Sequence, residues 1–177
     1  MPETYKIKKS IVIPLAVSVF AVAGLILVSF LFTPLRGERL VMPVLFFIGL
    51  YIFLESFSHT VALKTEGIEV KKFLRKKEIA WEHITLIDSL VMGSKVYLLL
   101  TTKKGFHILS NNYERFTQLI GRFKENLGEE RIDGRVIGFI EHPLINNKPV
   151  YSAWLMAIFM VAILVLRLYM ILFANGK

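Results

Sequence analysis

Leu63-Lys64-Thr65-Glu66-Gly67-Ile68-Glu69-Val70 is where the period of the chain changes. Residues 40–54 before it carry no charge. From Val61 the apolar residues alternate instead: Val61 and Leu63 precede Thr65-Glu66-Gly67, and Ile68, Val70 and Phe73 follow it. Alternation on both sides of a turn triplet predicts two strands joined by a hairpin, with Gly67 free to take positive φ. A polar, basic insert over residues 59–127 thus opens between stretches apolar enough to cross a bilayer.

Further along the insert, Arg75-Lys76-Lys77 forms a basic second turn. Residues 78–87 alternate as a third strand, with Ile79, Trp81 and His83 on one side and Ala80, Glu82 and Ile84 on the other. Residues 95–102 are rich in β-formers, Lys103-Lys104-Gly105 is a turn, and residues 106–110 return, which makes about five strands. Asn111 has the chemistry of an N-cap and Glu114 that of its reciprocal partner, opening a helix over residues 112–127. Its Phe116, Leu119, Ile120, Phe123 and Leu127 fall at i, i+3, i+4 spacing, and Gly128 ends it. A small antiparallel sheet cannot bury its apolar face alone, so this stripe is expected to cover the open end or face of a curled sheet. Trp81 and Phe116 are read as the sheet and helix halves of one apolar cluster. Residues 129–149 are a connector or an additional strand: Asp133-Gly134 suggests a turn, and Val136, Ile137, Phe139 and Ile140 form a short apolar group.

The flanking stretches set the class. After a basic tail over residues 1–10, residues 11–32 contain no charge and at 1.5 Å per residue span a bilayer core of about 30 Å. The run is longer than the roughly 7–15 residue apolar core of a secretory signal and ends without a small-residue cleavage site, so a retained helix is expected. Pro34 and Gly37 then break the chain within residues 33–39, which can only be a turn between antiparallel helices. Residues 40–60 form a second span. Residues 150–174 form a third, with Tyr151, Trp154 and Tyr169 near its boundaries in the manner of aromatic belts.

Two closely spaced spans return the chain to its starting side, so the tail and the insert share a compartment and the third span puts the C-terminus opposite. Lys6, Lys8, Lys9, Lys64, Lys71, Lys72 and Lys148 lie near membrane ends on the shared side, against Arg36, Arg39 and Lys177 on the other. The bias of cytoplasmic loops towards Lys and Arg therefore places the N-terminus and insert in the cytoplasm and the C-terminus outside. Three polar groups fall within the spans: Glu55 and His59, four apart on one helical face, and Arg167. The first two read as a polar interfacial end or as a proton-handling pair. Arg167 either snorkels to the headgroups or meets a polar group on another protein.

The 177 residues are 54% hydrophobic with a mean hydropathy of +0.55, concentrated in those three blocks. There is no cysteine, which excludes disulfides, thiolate metal sites and cysteine nucleophiles. The net charge is +8, yet residues 64–148 hold 15 Lys and Arg against 11 Asp and Glu, a surplus that suits anionic headgroups and lacks the Arg and aromatic density of a nucleic-acid binder. Lys71, Lys72, Arg75, Lys76 and Lys77 form the densest cluster, readable as a solvated turn, a lipid-headgroup contact or a site for an acidic partner. His59, His83, His107 and His142 share no metal-ligand spacing, although His83 and His107 could be neighbours across the sheet. Glu82 and Asp88 could imitate an acid pair but read as exposed partners of lysines. No phosphate loop, nucleophile elbow or zinc-protease motif appears. No cofactor, metal or small-molecule substrate is implied.

Residues 63–70, then Lys77-Glu78-Ile79-Ala80-Trp81-Glu82-His83-Ile84, Val96-Tyr97-Leu98-Leu99-Leu100-Thr101-Thr102 and the capped helix resemble the bacterial PH-like domains that follow paired transmembrane helices in small prokaryotic membrane proteins. The positions that carry the resemblance are structural: the turn Gly67 and the core side chains Trp81, Phe116, Leu119, Ile120 and Phe123. The resemblance implies a bent antiparallel sheet capped by a C-terminal helix, acting in binding or assembly without catalysis. The family's fold has seven strands, so the others must come from residues 129–149 or from a finer division of residues 78–90. Inositide binding is not carried over, because the first hairpin turn is the acidic Glu66-Gly67.

The expected fold class is thus an α+β membrane protein: three transmembrane helices, with a small antiparallel PH-like sheet domain over residues 61–128 inserted between the second and third. The expected function is that of a non-enzymatic accessory, assembly or stabilising subunit of a membrane-protein complex, multi-pass in the prokaryotic cytoplasmic membrane, with membrane lipids and an integral membrane protein as partners. An anionic-lipid-responsive module is the alternative. A small transporter component, motivated only by Glu55, His59 and Arg167, is a third.

Overall fold

The computed structural model describes residues 3–32, 38–93, 95–103, 105–143 and 147–174. The turn expected around Pro34 and Gly37, and Arg36, Lys104 and Lys177, lie outside the described residues. The chain divides into two units, residues 1–8 with 58–147 and residues 9–57 with 148–177.

The first unit begins with a strand that the sequence does not advertise. Glu3–Lys6 (β1) pairs antiparallel with Thr60–Lys64 (β2), setting Tyr5 opposite Val61 and Lys6 opposite Thr60. β2 pairs with Gly67–Lys71 (β3), and β3 with Lys76–Ala80 (β4), giving a four-stranded sheet in sequence order. A single 3-10 turn, Trp81–His83, leads into Ile84–Met92 (β5), which forms a second antiparallel sheet with Lys95–Thr102 (β6) and Gly105–Ser110 (β7). The tail read as a basic extension is therefore a strand, and the stretch read as one strand over residues 78–87 is divided between two sheets. Together these changes make seven strands among the described residues.

Tyr5 shows why the tail orders. Its ring is buried in the core, its hydroxyl donates to Glu3 Oε2 at 2.9 Å, and the Arg115 guanidinium lies 5.6 Å from its centroid. Arg122 grips Glu3 with two nitrogens, Nε to Oε2 at 3.0 Å and Nη2 to Oε1 at 2.5 Å. The strand's far end is closed by backbone bonds, from Glu114 N–H to the Lys6 carbonyl at 2.8 Å and from Lys8 N–H to the Asn112 carbonyl at 2.9 Å.

Those backbone bonds also displace the expected helix start. The helix over Phe116–Leu127 (α3) begins four residues later than the Asn111 cap predicts, and its N-cap is Arg115 at φ 53° with no side-chain capping bond. The Glu114 N–H goes to β1 and the Asn111 N–H to the Val96 carbonyl, so tertiary pairing takes what a local cap would have used. A left-handed conformation is unfavourable for a residue with a Cβ; packing of the Arg115 guanidinium on Tyr5 helps hold it there.

Leu119, Ile120 and Phe123 of α3 are fully buried against Val61, Ile68, Ile84, Ile87, Leu98, Leu100 and Leu109 of the two sheets. Trp81 sits edge-on to Phe123 at 6.1 Å between centroids, and its indole N–H donates to the Lys64 carbonyl at 3.1 Å. Phe116 is partly buried beside the same core. Gly67 does not take positive φ. A Cβ there would stand 2.1 Å from the Ile79 carbonyl oxygen, so its role is close approach of β3 to β4.

Residues 129–149 contribute no further strand among the described residues. A 3-10 turn at Glu129–Arg131 leads to a single bridge between Ile132 and Ile87, and then to a helix over Gly134–Glu141 (α4). Asp133 caps α4 by accepting from Arg135 N–H at 2.8 Å, and Val136 is buried in the core. The apolar group at Val136, Ile137, Phe139 and Ile140 thus serves a helical face, because its spacing fits a period of 3.6 better than one of 2.

The second unit holds helices over Lys9–Phe32 (α1), Glu38–Ser58 (α2) and Lys148–Ala174 (α5), each long and apolar enough to cross a membrane and compatible with a multi-pass membrane protein. α1 packs on α5 through small residues: Ser18, Ala21 and Ala157 are buried, and a Cβ on Gly24 would lie 3.1 Å from a Leu164 methyl.

Glu3 is held below the ordinary carboxylate range, first by its hydrogen bond from Arg122 and then by that from Tyr5. A depressed carboxylate adds stability that is present above 4.5, the ordinary value, and is lost as pH falls through the lower folded value. The pair is exposed to solvent, so Tyr5 carries the larger share of the anchoring. Tyr5→Ala is expected to cost about 3–5 kcal/mol, as for other buried aromatics, and Thr4→Ala on the exposed face about 0.5 kcal/mol or less. Denaturant unfolding in detergent, followed by Trp81 fluorescence in a Trp154→Phe background, measures both.

Candidate functional site

The two sheets differ in what they show on their outer faces. On the four-stranded sheet that face is charged and internally neutralised: Lys64 bonds Glu69 and reaches Glu78 at 3.0 Å, and Lys76 lies 3.1 Å from Glu78 and 3.4 Å from Glu69. The hydrogen bonds to Lys64 are the first cause that holds both carboxyls below their ordinary range.

The three-stranded sheet is apolar on both sides. Its inner face supplies Ile87, Val96, Leu98, Leu100 and Leu109 to the core. Its outer face is fixed by register into rows running Leu86–Thr101–Phe106, Asp88–Leu99–Ile108 and Leu90–Tyr97–Ser110, with Met92 beyond them opposite Lys95. A solvated antiparallel sheet ordinarily carries polar side chains there. Instead Leu86 and Leu90 are exposed, as are Met92 at 62%, Phe106 at 67% and Ile108 at 51%, with Tyr97 and Leu99 half-buried between them. A contiguous exposed apolar face with an aromatic and a methionine has the composition of an interaction surface. Charges rim it: Arg135 of α4 reaches Asp88 at 3.4 Å, and Lys95 stands beside Met92. No motif marks these residues. Their signal in the sequence is the unbroken run Val96–Leu100, which leaves no polar face for β6.

The basic cluster is separated by the fold. Lys71 ends β3, Lys76 and Lys77 lie on β4, and the turn between them is residues 72–75, closed by Lys72 N–H to the Arg75 carbonyl at 2.7 Å. Phe73, expected on a strand, is at the tip of that turn with Leu74, because the paired register ends at Lys71 and Lys76. Lys76 belongs to the neutralised network, whereas among the described residues no carboxylate lies within ion-pair distance of Lys71, Lys72, Arg75 or Lys77. His83 and His107 line a common cavity of about 140 Å³ with Lys77, Thr102 and Lys103. Burial, then the charges of Lys77 and Lys72, lower the proton affinity of His107.

Of the three polar groups assigned to the spans, His59 lies outside the helix it was placed on. α2 ends at Ser58, so His59 leaves the helix and no longer shares a helical face with Glu55. The His59 ring stacks on Tyr113, with Nδ1 2.6 Å from the Tyr113 hydroxyl. Burial pushes that hydroxyl far above the ordinary tyrosine range. Arg167 is half-buried on α5 and already engaged within the chain, so it supplies no argument for a second protein. Among the described residues no three His, Asp or Glu side chains are grouped to hold a metal ion.

No protein-family model, no characterised protein and no solved structure matches the chain. The functional reading therefore rests on the surfaces themselves. If the outer face of β5–β6–β7 is a surface and not a misplaced core, Ile108→Ser should change stability by about 0.5 kcal/mol or less, whereas Leu109→Ala, its neighbour on the inner face, should cost about 2–5 kcal/mol. Urea unfolding of the two variants compares them directly.

Proposed function

We propose that this chain is a non-enzymatic, membrane-anchored module of the PH-like type that serves as an accessory or assembly subunit of a membrane-protein complex in a prokaryotic cytoplasmic membrane. The observation that carries the reading is the exposed apolar face of Leu86, Leu90, Met92, Phe106 and Ile108. Such a face on a monomer is a liability unless a partner covers it, and Phe106 and Tyr97 have the character of interface anchors. The PH-like assignment is supported by an N-to-C series of four and then three antiparallel strands followed by a buried amphipathic helix.

Chain connectivity supports a topology. β1 precedes α1, β2 follows α2, and the two strands are paired, so crossings made between them must be even in number. With α1 and α2 as two crossings, the N-terminus and both sheets share one side, which the Lys and Arg bias makes the cytoplasm, and α5 carries the C-terminus out. A sheet tied to the membrane before β2 and after α4 reaches only surfaces close to the bilayer, which favours a partner that is itself a membrane protein.

Capture of the full-length chain at native expression in mild detergent is expected to bring down a stoichiometric membrane protein. Phe106→Asp with Ile108→Asp should abolish that recovery while the chain stays folded; recovery of the unaltered chain alone contradicts the proposal. Because the chain has no cysteine, Lys103→Cys provides a single labelling site, expected to react with an impermeant maleimide only after the cells are opened.

A further inference from the structure

The turn between β3 and β4 carries two large apolar residues at its tip. Phe73 and Leu74 are the central pair of the four-residue loop 72–75, inside the bond from the Lys72 N–H to the Arg75 carbonyl. Neither takes positive φ, and Leu74 is 77% and Phe73 37% exposed. Leu74, the more exposed of the two, gives the loop an apolar tip.

Their surroundings carry unneutralised positive charge. Lys71 and Lys72 precede the pair and Arg75 and Lys77 follow it, without an acidic partner at ion-pair distance among the described residues, while the neighbouring Lys64 and Lys76 are satisfied by Glu69 and Glu78. Burial first, and then the charges of Lys77 and Lys72, lower the proton affinity of His107 beside this cluster.

Register fixes which end of the sheet this is. Lys6 lies opposite Thr60, Thr60 opposite Lys71, and Lys71 opposite Lys76, so these four form the last row across the sheet. At that row the chain departs for α1, which begins at Lys9, and returns from α2, which ends at Ser58. The 73–74 tip projects beyond the same row, about 10 Å sideways from β2, whereas the Thr65–Glu66 turn is at the opposite end, about 14 Å away along the strands.

We infer that the β3–β4 hairpin is a lipid-contacting finger: Phe73 and Leu74 enter the interfacial layer of the leaflet from which α1 and α2 emerge, and Lys71, Lys72, Arg75 and Lys77 bind the phosphates of its anionic lipids. The inference rests on reading α1 and α2 as membrane spans, and it concerns a different surface from the apolar face of β5–β6–β7. An apolar tip within a basic collar matches the order of a bilayer surface, with charge in the headgroups and hydrocarbon below. Contact there would fix the orientation of the sheets at the membrane and so aim the apolar face at its partner.

The test uses the full chain, purified alone and reconstituted in lipid nanodiscs of phosphatidylcholine with or without phosphatidylglycerol. Leu74→Cys carries an environment-sensitive fluorophore, Glu66→Cys reports the opposite end of the sheet, and Phe47→Cys reports α2. In anionic discs the dye at position 74 should be blue-shifted and quenched by spin-labelled lipid at least about threefold more than the dye at position 66. High salt, or Ser in place of Lys71, Lys72, Arg75 and Lys77 together, should abolish most of that difference. A dye at position 74 that stays water-like and unquenched while that at position 47 is quenched overturns the finger, and is also what a hairpin specific for an acidic protein would give. Equal quenching in purely zwitterionic discs overturns the anionic-lipid assignment. Absence of quenching at position 47 overturns the membrane spans, and the finger with them.

Discussion

The pairing of β1 with β2 is the constraint on which the rest of the structure depends. Tyr5 meets Val61 across an excursion that contains both α1 and α2, so the first strand of the sheet is made from residues before the first apolar helix and the second from residues after the second. The sheet cannot close until the helical hairpin has turned back. Once closed, Tyr5 completes the core, Glu3 holds Arg122 of α3, and the backbone of Lys6 and Lys8 binds the segment that leads into α3. β1 and β2 are therefore joined across that excursion through a few residues that look in isolation like a solvated tail.

This pairing also explains what could and could not be read from the sequence. The long apolar helices are legible because 22 uncharged residues admit few alternatives, and α3 because its apolar stripe keeps helical spacing for three turns. β1 is not, since one buried residue in Glu3–Lys6 provides no period to detect. The Asn111 cap is a sound local reading that loses to backbone pairing with β1. Residues 136–140 carry a helical spacing, but a group that short is ambiguous until its partner is known. Phe73 reads as a strand residue because an apolar side chain at a hairpin tip is the exception.

The candidate surfaces show the same limit. Alternation tells which residues of β6 share a face but not whether that face meets a core, a lipid or a second protein, so Val96–Leu100 looks merely β-rich. The two sheets contrast in this respect: the outer face of the first satisfies itself through Lys64, Glu69, Lys76 and Glu78, whereas that of the second leaves Phe106, Ile108 and Met92 exposed. The fold also divides the basic run: Lys76 pairs with Glu69 and Glu78, whereas among the described residues no carboxylate lies within ion-pair distance of Lys71, Lys72, Arg75 or Lys77.

The pairing of the N-terminal strand with β2 is tested most directly by disulfide trapping in intact cells. Thr4 and Ala62 are register partners on the less buried face of β1 and β2, with Cα atoms expected about 4.5–5.5 Å apart, within reach of a disulfide. In this cysteine-free chain, Thr4→Cys with Ala62→Cys should oxidise rapidly to an internal crosslink, and Thr4→Cys with Glu69→Cys, one strand further away, should not. Failure of the first pair to crosslink, or equal crosslinking of both, would mean that the tail does not close the sheet and would contradict the topology built upon it.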